Sequence, residues 1–213
     1  EGEGGGGGGF QGGGAGGTGS NGSNSKCSAE EIYQACMLGW AIELLQAFFL
    51  VADDVMANST MRRGRPCWFR RDDVKLDSVN DSFILESAVY ITLKKHLGGH
   101  PRYTLLLDLF HSVSLQTELG QLLDLKTAPA GGTLPPLDFG VFTAQRVSDV
   151  AQYKTAYYMF YLPVVCALAL GYSGGEYDWE AHLELVSSLC VDMGIFFQAQ
   201  DDYLDCFGDQ QFK

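Results

Sequence analysis

The chain is short of basic side chains. Fourteen Lys and Arg stand against 26 Asp and Glu, a net charge of -12 over 213 residues. Such a surface repels nucleic acid, and no Lys/Arg block opposes that reading. No window holds eighteen uninterrupted apolar residues, so no membrane span is expected. Paired cysteines are missing too. Cys27, Cys36, Cys67, Cys166, Cys190 and Cys206 are scattered, with no C-x-x-C pair and no His at zinc-finger spacing. A chain of this size with a large apolar core needs no disulfide staples, so reduced thiols and a cytoplasmic location are expected. The N-terminus has neither the basic start and apolar stretch of a secretory signal nor the Arg-rich character of a transit peptide. No segment alternates apolar and polar residues over the length of a strand, which argues against a sheet.

What remains is 46% hydrophobic, 12% aromatic and only 19% charged, enough for one domain with a real core. Two zones differ. Glycine fills 14 of the first 25 positions, and such a stretch buries too little surface to offset its conformational entropy. Residues 1–27 are therefore expected to be disordered, and residues 28–213 to form the domain. Ser28-Ala-Glu-Glu31 reads as a capping box opening a helix over Glu31–Ala57, apolar on most faces. Arg62–Asp73 reads as a basic loop broken by Gly and Pro. Further helices are expected over Val79–His96, Tyr103–Leu125, Thr143–Leu170 with a bend near Pro163, and Asp178–Phe207. Loops are expected at Thr127–Pro136 and Gly171–Gly175. The class is all-α, a bundle of long antiparallel helices.

Two acidic clusters end very apolar helical stretches. The first is Phe48-Phe49-Leu50-Val51-Ala52-Asp53-Asp54, and the second runs from Phe196 through Asp201, Asp202 and Asp205. Carboxylates at a helix C-terminus oppose its macrodipole, at about 0.3–1 kcal/mol each, so a compensating cation is expected. Asp201 and Asp205 are one helical turn apart and share a face. Hard oxygen donors at that spacing suit Mg²⁺, which takes its remaining oxygens from water and substrate phosphates. Arg62, Arg63 and Lys154 are candidate anion-binding cations. Lys154 lies in the apolar run Tyr153–Tyr161 and needs an anionic partner. Gln121 and Asp124 add an amide and another carboxylate on the third helix. The arrangement points to a phosphate-bearing ligand with a greasy remainder.

Five blocks, in this order, resemble the short-chain trans-prenyltransferases (the polyprenyl synthetases), the farnesyl diphosphate synthase branch above all. They are Leu45-Gln-Ala-Phe-Phe-Leu-Val-Ala-Asp-Asp54, Arg62-Arg-Gly-Arg-Pro-Cys-Trp-Phe69, Gln116-Thr-Glu-Leu-Gly-Gln-Leu-Leu-Asp124, Tyr153-Lys-Thr-Ala-Tyr-Tyr158 and Phe197-Gln-Ala-Gln-Asp-Asp-Tyr-Leu-Asp-Cys-Phe-Gly-Asp209. The resemblance covers residues 32 to 213. It implies the isoprenoid synthase bundle, incomplete at both ends, usually paired as a homodimer or with a related subunit. It implies condensation of isopentenyl diphosphate with dimethylallyl or geranyl diphosphate to give farnesyl diphosphate, with up to three Mg²⁺ ions. By position, Asp53, Asp54, Asp201, Asp202 and Asp205 would ligate metal. Arg62 and Lys154 would grip the allylic diphosphate, with Gln121 and Asp124 nearby. Arg63, Gln46 and Glu43 would face isopentenyl diphosphate. The carbonyls of Lys154 and Thr155 would lie near the developing cation. Phe48 and Phe49 would floor the product pocket, and Tyr158, Phe197 and Gln198 would line the substrate site.

Three departures from the family pattern accompany the resemblance. The first motif, D-D-x-x-D in the family, has Ala57 in its last place, which should weaken shared metals; the adjacent Asn58 offers a weak oxygen donor, about 100° around the helix from position 57. The N-terminal G-K-x-x-R-G block is absent. The chain stops at Lys213, soon after the second motif, so exposed apolar surface is expected. These features lead to the expectation of impaired turnover. They leave two alternatives: a lyase-type terpene synthase acting on an allylic diphosphate, or a non-catalytic partner of an active prenyltransferase.

Overall fold

A computed structural model describes residues 27–127, 139–171 and 182–208. The expected disorder of residues 1–27 lies, except for Cys27, outside the described residues, as do the turn after Gly171 and nearly all of the loop at Thr127–Pro136. Five long helices dominate. Helix α1 spans Ala29–Met56, α2 Asp77–Leu97, α3 Tyr103–Thr127, α4 Ala144–Gly171 and α5 Leu183–Phe207. The capping box forms as read: the Glu31 backbone N–H donates to Ser28 Oγ at 3.2 Å, and the Ser28 backbone N–H donates to Glu31 Oε2 at 2.7 Å. This satisfies two donors that the first turn leaves without helical partners.

The buried positions follow helical spacing. They are Leu38, Ala41, Leu45 and Phe48 on α1; Val89, Leu93 and Leu97 on α2; and Leu106, Phe110 and Val113 on α3. Leu162, Cys166 and Ala169 of α4 complete one continuous core. Each neighbouring pair of helices runs antiparallel. Tyr33 near the start of α1 bonds His96 at the end of α2 at 2.7 Å, and Tyr90 of α2 stacks on His111 of α3 at 4.3 Å. Asp124 near the end of α3 meets Lys154 in the first half of α4, and along α4 Thr155 bonds Gln198 of α5 while the later Tyr161 lies near the earlier Cys190. It follows that α1, α3 and α5 point the same way, with their C-terminal ends at one end of the bundle.

Two features differ from the expectation. Within the basic loop, Met61–Arg62 and Arg65–Pro66 pair as a two-stranded hairpin, with Met61 opposite Pro66 and Arg62 opposite Arg65. Its turn residues Arg63 and Gly64 have φ of 51° and 73°, the backbone signature of a tight type I′ turn that strand-length patterning does not reveal. The irregularity in α4 is not a bend at Pro163 itself. Ala151–Tyr161, just upstream, has π-type hydrogen bonding. Proline removes a donor and its ring crowds the carbonyl four residues back, and widening the preceding turns relieves that crowding.

Helices α1 and α4 are long and apolar enough to cross a membrane by length and composition. Isolated polar residues interrupt both, so neither holds eighteen uninterrupted apolar residues. In the bundle they contribute much of the shared core. The expected exposed apolar surface is present on α5, where Leu185, Leu189, Met193 and Phe196 face outward.

Candidate active site

The bundle topology explains why residues far apart in sequence meet. Asp53 and Asp54 end α1, Gln121 and Asp124 end α3, and Lys154 enters from the antiparallel α4. Asp53 Oδ1 accepts from Gln121 Nε2 at 2.8 Å and from Lys154 Nζ at 3.3 Å, while its Oδ2 accepts from Arg62 at 3.2 Å. Lys154 Nζ also donates to Asp124 at 2.5 Å. Burial alone would lower the Lys154 ammonium, but Asp53 and Asp124 outweigh it and hold the pKa above its ordinary value. The same contest raises Arg62, where burial is overcome by Asp54 and Asp53.

Asp53 and Asp54 differ sharply despite their adjacency. Asp54 is only 3% exposed. Its Oδ1 accepts from Arg62 Nε at 3.1 Å and Nη2 at 2.7 Å. The buried Cys67 thiol lies close to Asp54, and burial and this neighbouring carboxylate together raise the thiol's pKa. Asp54 therefore anchors the hairpin arginine, and Asp53 is the carboxylate that faces α3 and α4. Asn58 is also occupied. It sits at φ 54°, just past the end of α1, and Arg70 donates to its side-chain oxygen at 2.6 Å and its backbone oxygen at 2.9 Å. This interaction places a cation just beyond the C-terminal end of α1 and removes Asn58 as a ready oxygen donor.

The second acidic cluster lies at the same end. Asp201, Asp202 and Asp205 are exposed on the last turns of α5. Partial burial and the charges of Asp205 and Asp202 push the Asp201 carboxyl up, and Arg62 opposes that shift. Arg62, held on the first cluster, is thus electrostatically close to the second. Gln198 connects α5 to α4: Thr155 Oγ1 donates to its Oε1 at 2.5 Å, and its Nε2 donates to Asp202 at 2.8 Å.

The remaining expected residues divide. Gln46 approaches the buried Tyr158 hydroxyl, whose pKa is raised by burial and by Asp53. Phe49 packs on Tyr158 at 5.4 Å, and Phe197 packs on Phe160 at 5.7 Å. Phe48 instead lines a cavity of about 360 Å³ beside Val55, Met56 and Phe83, with Glu86 and Glu118 also on its wall. The two phenylalanines, 4.9 Å apart, therefore serve different walls. Glu43 is exposed and ten residues before Asp53, about 15 Å along the helix, and the structure does not bring it to the cluster. Arg63 is exposed at the hairpin turn.

Among the described residues, no group of three or more His, Cys, Asp or Glu side chains converges into a metal cage. The donor chemistry nevertheless fits a hard divalent cation at Asp53 and at the Asp201/Asp205 face, where oxygen ligands stand one turn apart. Asp54 fits that role less well, because it is almost wholly buried.

Two residues central to the site are absent from the sequence reading. A Cβ on Gly120 would overlap the backbone of Tyr153 and Lys154, and one on Gly194 would overlap Ala156. These glycines let α3 and α5 approach the π-type segment from two sides. A glycine inside an otherwise strong helix is the sequence signal that could have indicated such an approach.

A profile of the polyprenyl synthetase family matches residues 19–212. The chain is 51% identical over 183 residues to the farnesyl pyrophosphate synthase of Candida albicans, covering 86% of this chain and 50% of that protein. It is 48% identical over 182 residues to a protein named mitochondrial farnesyl pyrophosphate synthase 1 in Arabidopsis thaliana, covering 85% and 45%. The crystal structure of the T. brucei farnesyl diphosphate synthase superposes with a TM-score of 0.75 at 36% identity, covering 84% of this chain and 52% of that one. The chain spans about half the length of the curated relatives it matches.

Proposed function

Because the chain belongs to the polyprenyl synthetase family, we propose that it carries the allylic half of a farnesyl diphosphate synthase site. It would condense isopentenyl diphosphate with dimethylallyl or geranyl diphosphate. The observation that carries this reading is the convergence of Asp53, Gln121, Asp124, Arg62 and Lys154 at the end of the bundle that also holds Asp201, Asp202 and Asp205. The synthase names of the relatives favour condensation over the lyase and non-catalytic readings.

In this reaction the allylic C–O bond breaks, and diphosphate departs with the electron pair. The C4 of isopentenyl diphosphate then forms the new C–C bond, and a proton is lost. Mg²⁺ bound at Asp53 and at Asp201, Asp202 and Asp205 would supply positive charge to the leaving diphosphate. Arg62 and Lys154 are held by carboxylates at the cleft, so they meet an arriving diphosphate without first being ordered. The carbonyls of Lys154 and Thr155 would face the developing positive charge, with Gln198 fixing the Thr155 hydroxyl. Tyr158, Phe49 and Phe197 would shield it from water. Phe48 would limit product length by occupying the wall of the apolar cavity.

Incubation with Mg²⁺, geranyl diphosphate and isopentenyl diphosphate tests the reading. A C15 diphosphate is expected, and a hydrocarbon or free alcohol formed without isopentenyl diphosphate would refute it. Two further proposals accompany this function. The exposed rows Phe83, Ile84 and Ile91 on α2 and Leu115, Leu119 and Leu122 on α3 support pairing with a second copy or a related subunit. The free thiols support a cytoplasmic location.

A further inference from the structure

The hairpin carries three arginines, and the carboxylate cluster engages only one. Arg62 and Arg65 are direct cross-strand partners. Residues directly opposite in an antiparallel pair project from the same face of the ribbon, with Cβ atoms about 4.5–5.5 Å apart. Arg62 uses that face to reach Asp53 and Asp54, so Arg65 is directed to the same side, at the mouth of the cleft. Arg65 is exposed, and among the described residues no carboxylate forms an ion pair with it.

This placement runs against local preference. Like charges directly opposite destabilise a ribbon. The turn between them holds Arg63 at positive φ, where Asn or Gly is favoured. Arg62 is neutralised by its carboxylates, but Arg63 and Arg65 are not. Arg62 and Lys154 pair with Asp53, Asp54 and Asp124, and Arg63 and Arg65 stand exposed on the hairpin that carries Arg62. Ala57 withholds a carboxylate one turn after Asp53, so the hairpin keeps two exposed guanidiniums at this rim of the cleft. Guanidinium forks match phosphate oxygens in paired hydrogen bonds, so a diphosphate is the anion this rim suits best.

We propose that Arg65 is a diphosphate-binding residue, acting beside Arg63 on a prenyl diphosphate that reaches the hairpin without metal. This rests on the reading of the cleft as a prenyl diphosphate site. The test is isothermal titration of the intact chain with inorganic pyrophosphate, in EDTA and in Mg²⁺. The proteins are wild type, Arg65→Gln, Arg65→Lys and Arg71→Gln. Arg71 is a charge-matched control, since it is exposed and paired with Asp73 rather than with the cluster. In EDTA, Arg65→Gln is expected to weaken binding about tenfold, the loss of one charge-assisted contact. Arg65→Lys should recover part of it, and Arg71→Gln should stay within about twofold of wild type. Equal weakening by Arg65→Gln and Arg71→Gln would overturn the role of Arg65 while leaving the diphosphate site intact. Absence of wild-type binding in both EDTA and Mg²⁺ would overturn the site reading and the role of Arg65 together.

Discussion

Replacing Gly120 with alanine tests how the site is held together. Two effects oppose each other. Alanine is favoured over glycine inside a helix by about 1 kcal/mol. Against that, the new methyl group overlaps the main chain of Tyr153 and Lys154, which has no flexible end to swing aside. Overpacking of this kind costs about 1–3 kcal/mol, and an obstacle of backbone atoms belongs at the upper end. The net expectation is a loss of about 2 kcal/mol. For a chain of this size about 1 kcal/mol moves the midpoint by roughly 2–4 °C, so Tm should fall by about 4–8 °C. Gly39 of α1 supplies the contrast, because a Cβ there meets nothing within 4 Å. Gly39→Ala should raise Tm by about 2–4 °C through propensity alone. Moving α3 away from α4 also stretches the 2.5 Å Lys154–Asp124 contact. Gly120→Ala should therefore weaken pyrophosphate binding, which Gly39→Ala leaves unchanged. Scanning calorimetry with pyrophosphate titration reads both effects. Tm shifts of the same sign in the two variants would refute the close-approach argument.

The cysteines and the first acidic motif offer further checks. Cys27, Cys36 and Cys206 are exposed and Cys67, Cys166 and Cys190 are buried, so three thiols should react quickly with a disulfide reagent at pH 8 and three only on unfolding. Burial pushes Cys166 up to about 12. The unfolded thiol ionises near pH 8.5 while the folded one stays protonated, so this group's stabilisation is intact below about pH 8.5. It declines until the pH reaches the folded value, and denaturant titrations across that range should show the decline. Ala57→Asp should raise Mg²⁺-dependent pyrophosphate affinity about tenfold by restoring a carboxylate one turn after Asp53. It should also reduce stability by about 0.5 kcal/mol, because it adds an anion at the C-terminus of α1. Unchanged affinity would mean that the first cluster recruits no metal through this position.

Much of the fold is legible from local pattern. Ser28 and Glu31 open α1 because two side chains satisfy backbone donors that have no other partner. The apolar spacing Leu38, Ala41, Leu45, Phe48 marks the buried face without reference to any other helix. The paired aspartates are conspicuous because they end such apolar stretches. The hairpin was hidden because each strand is two residues long and its only signal is Arg63-Gly64 at the turn. The π-type segment was hidden because hydrogen-bond spacing depends on how the backbone accommodates Pro163 and its packed neighbours.

Local sequence determined which residues are helical, which faces are apolar and which carboxylates and cations are available, since these follow from interactions within a few residues. Tertiary structure alone decided how those groups are used. It separated Asp53, which faces Gln121 and Lys154, from Asp54, which lies buried under Arg62 and Cys67. Adjacent residues on a helix point about 100° apart, so their fates depend on what the neighbouring helices and the hairpin place on each side.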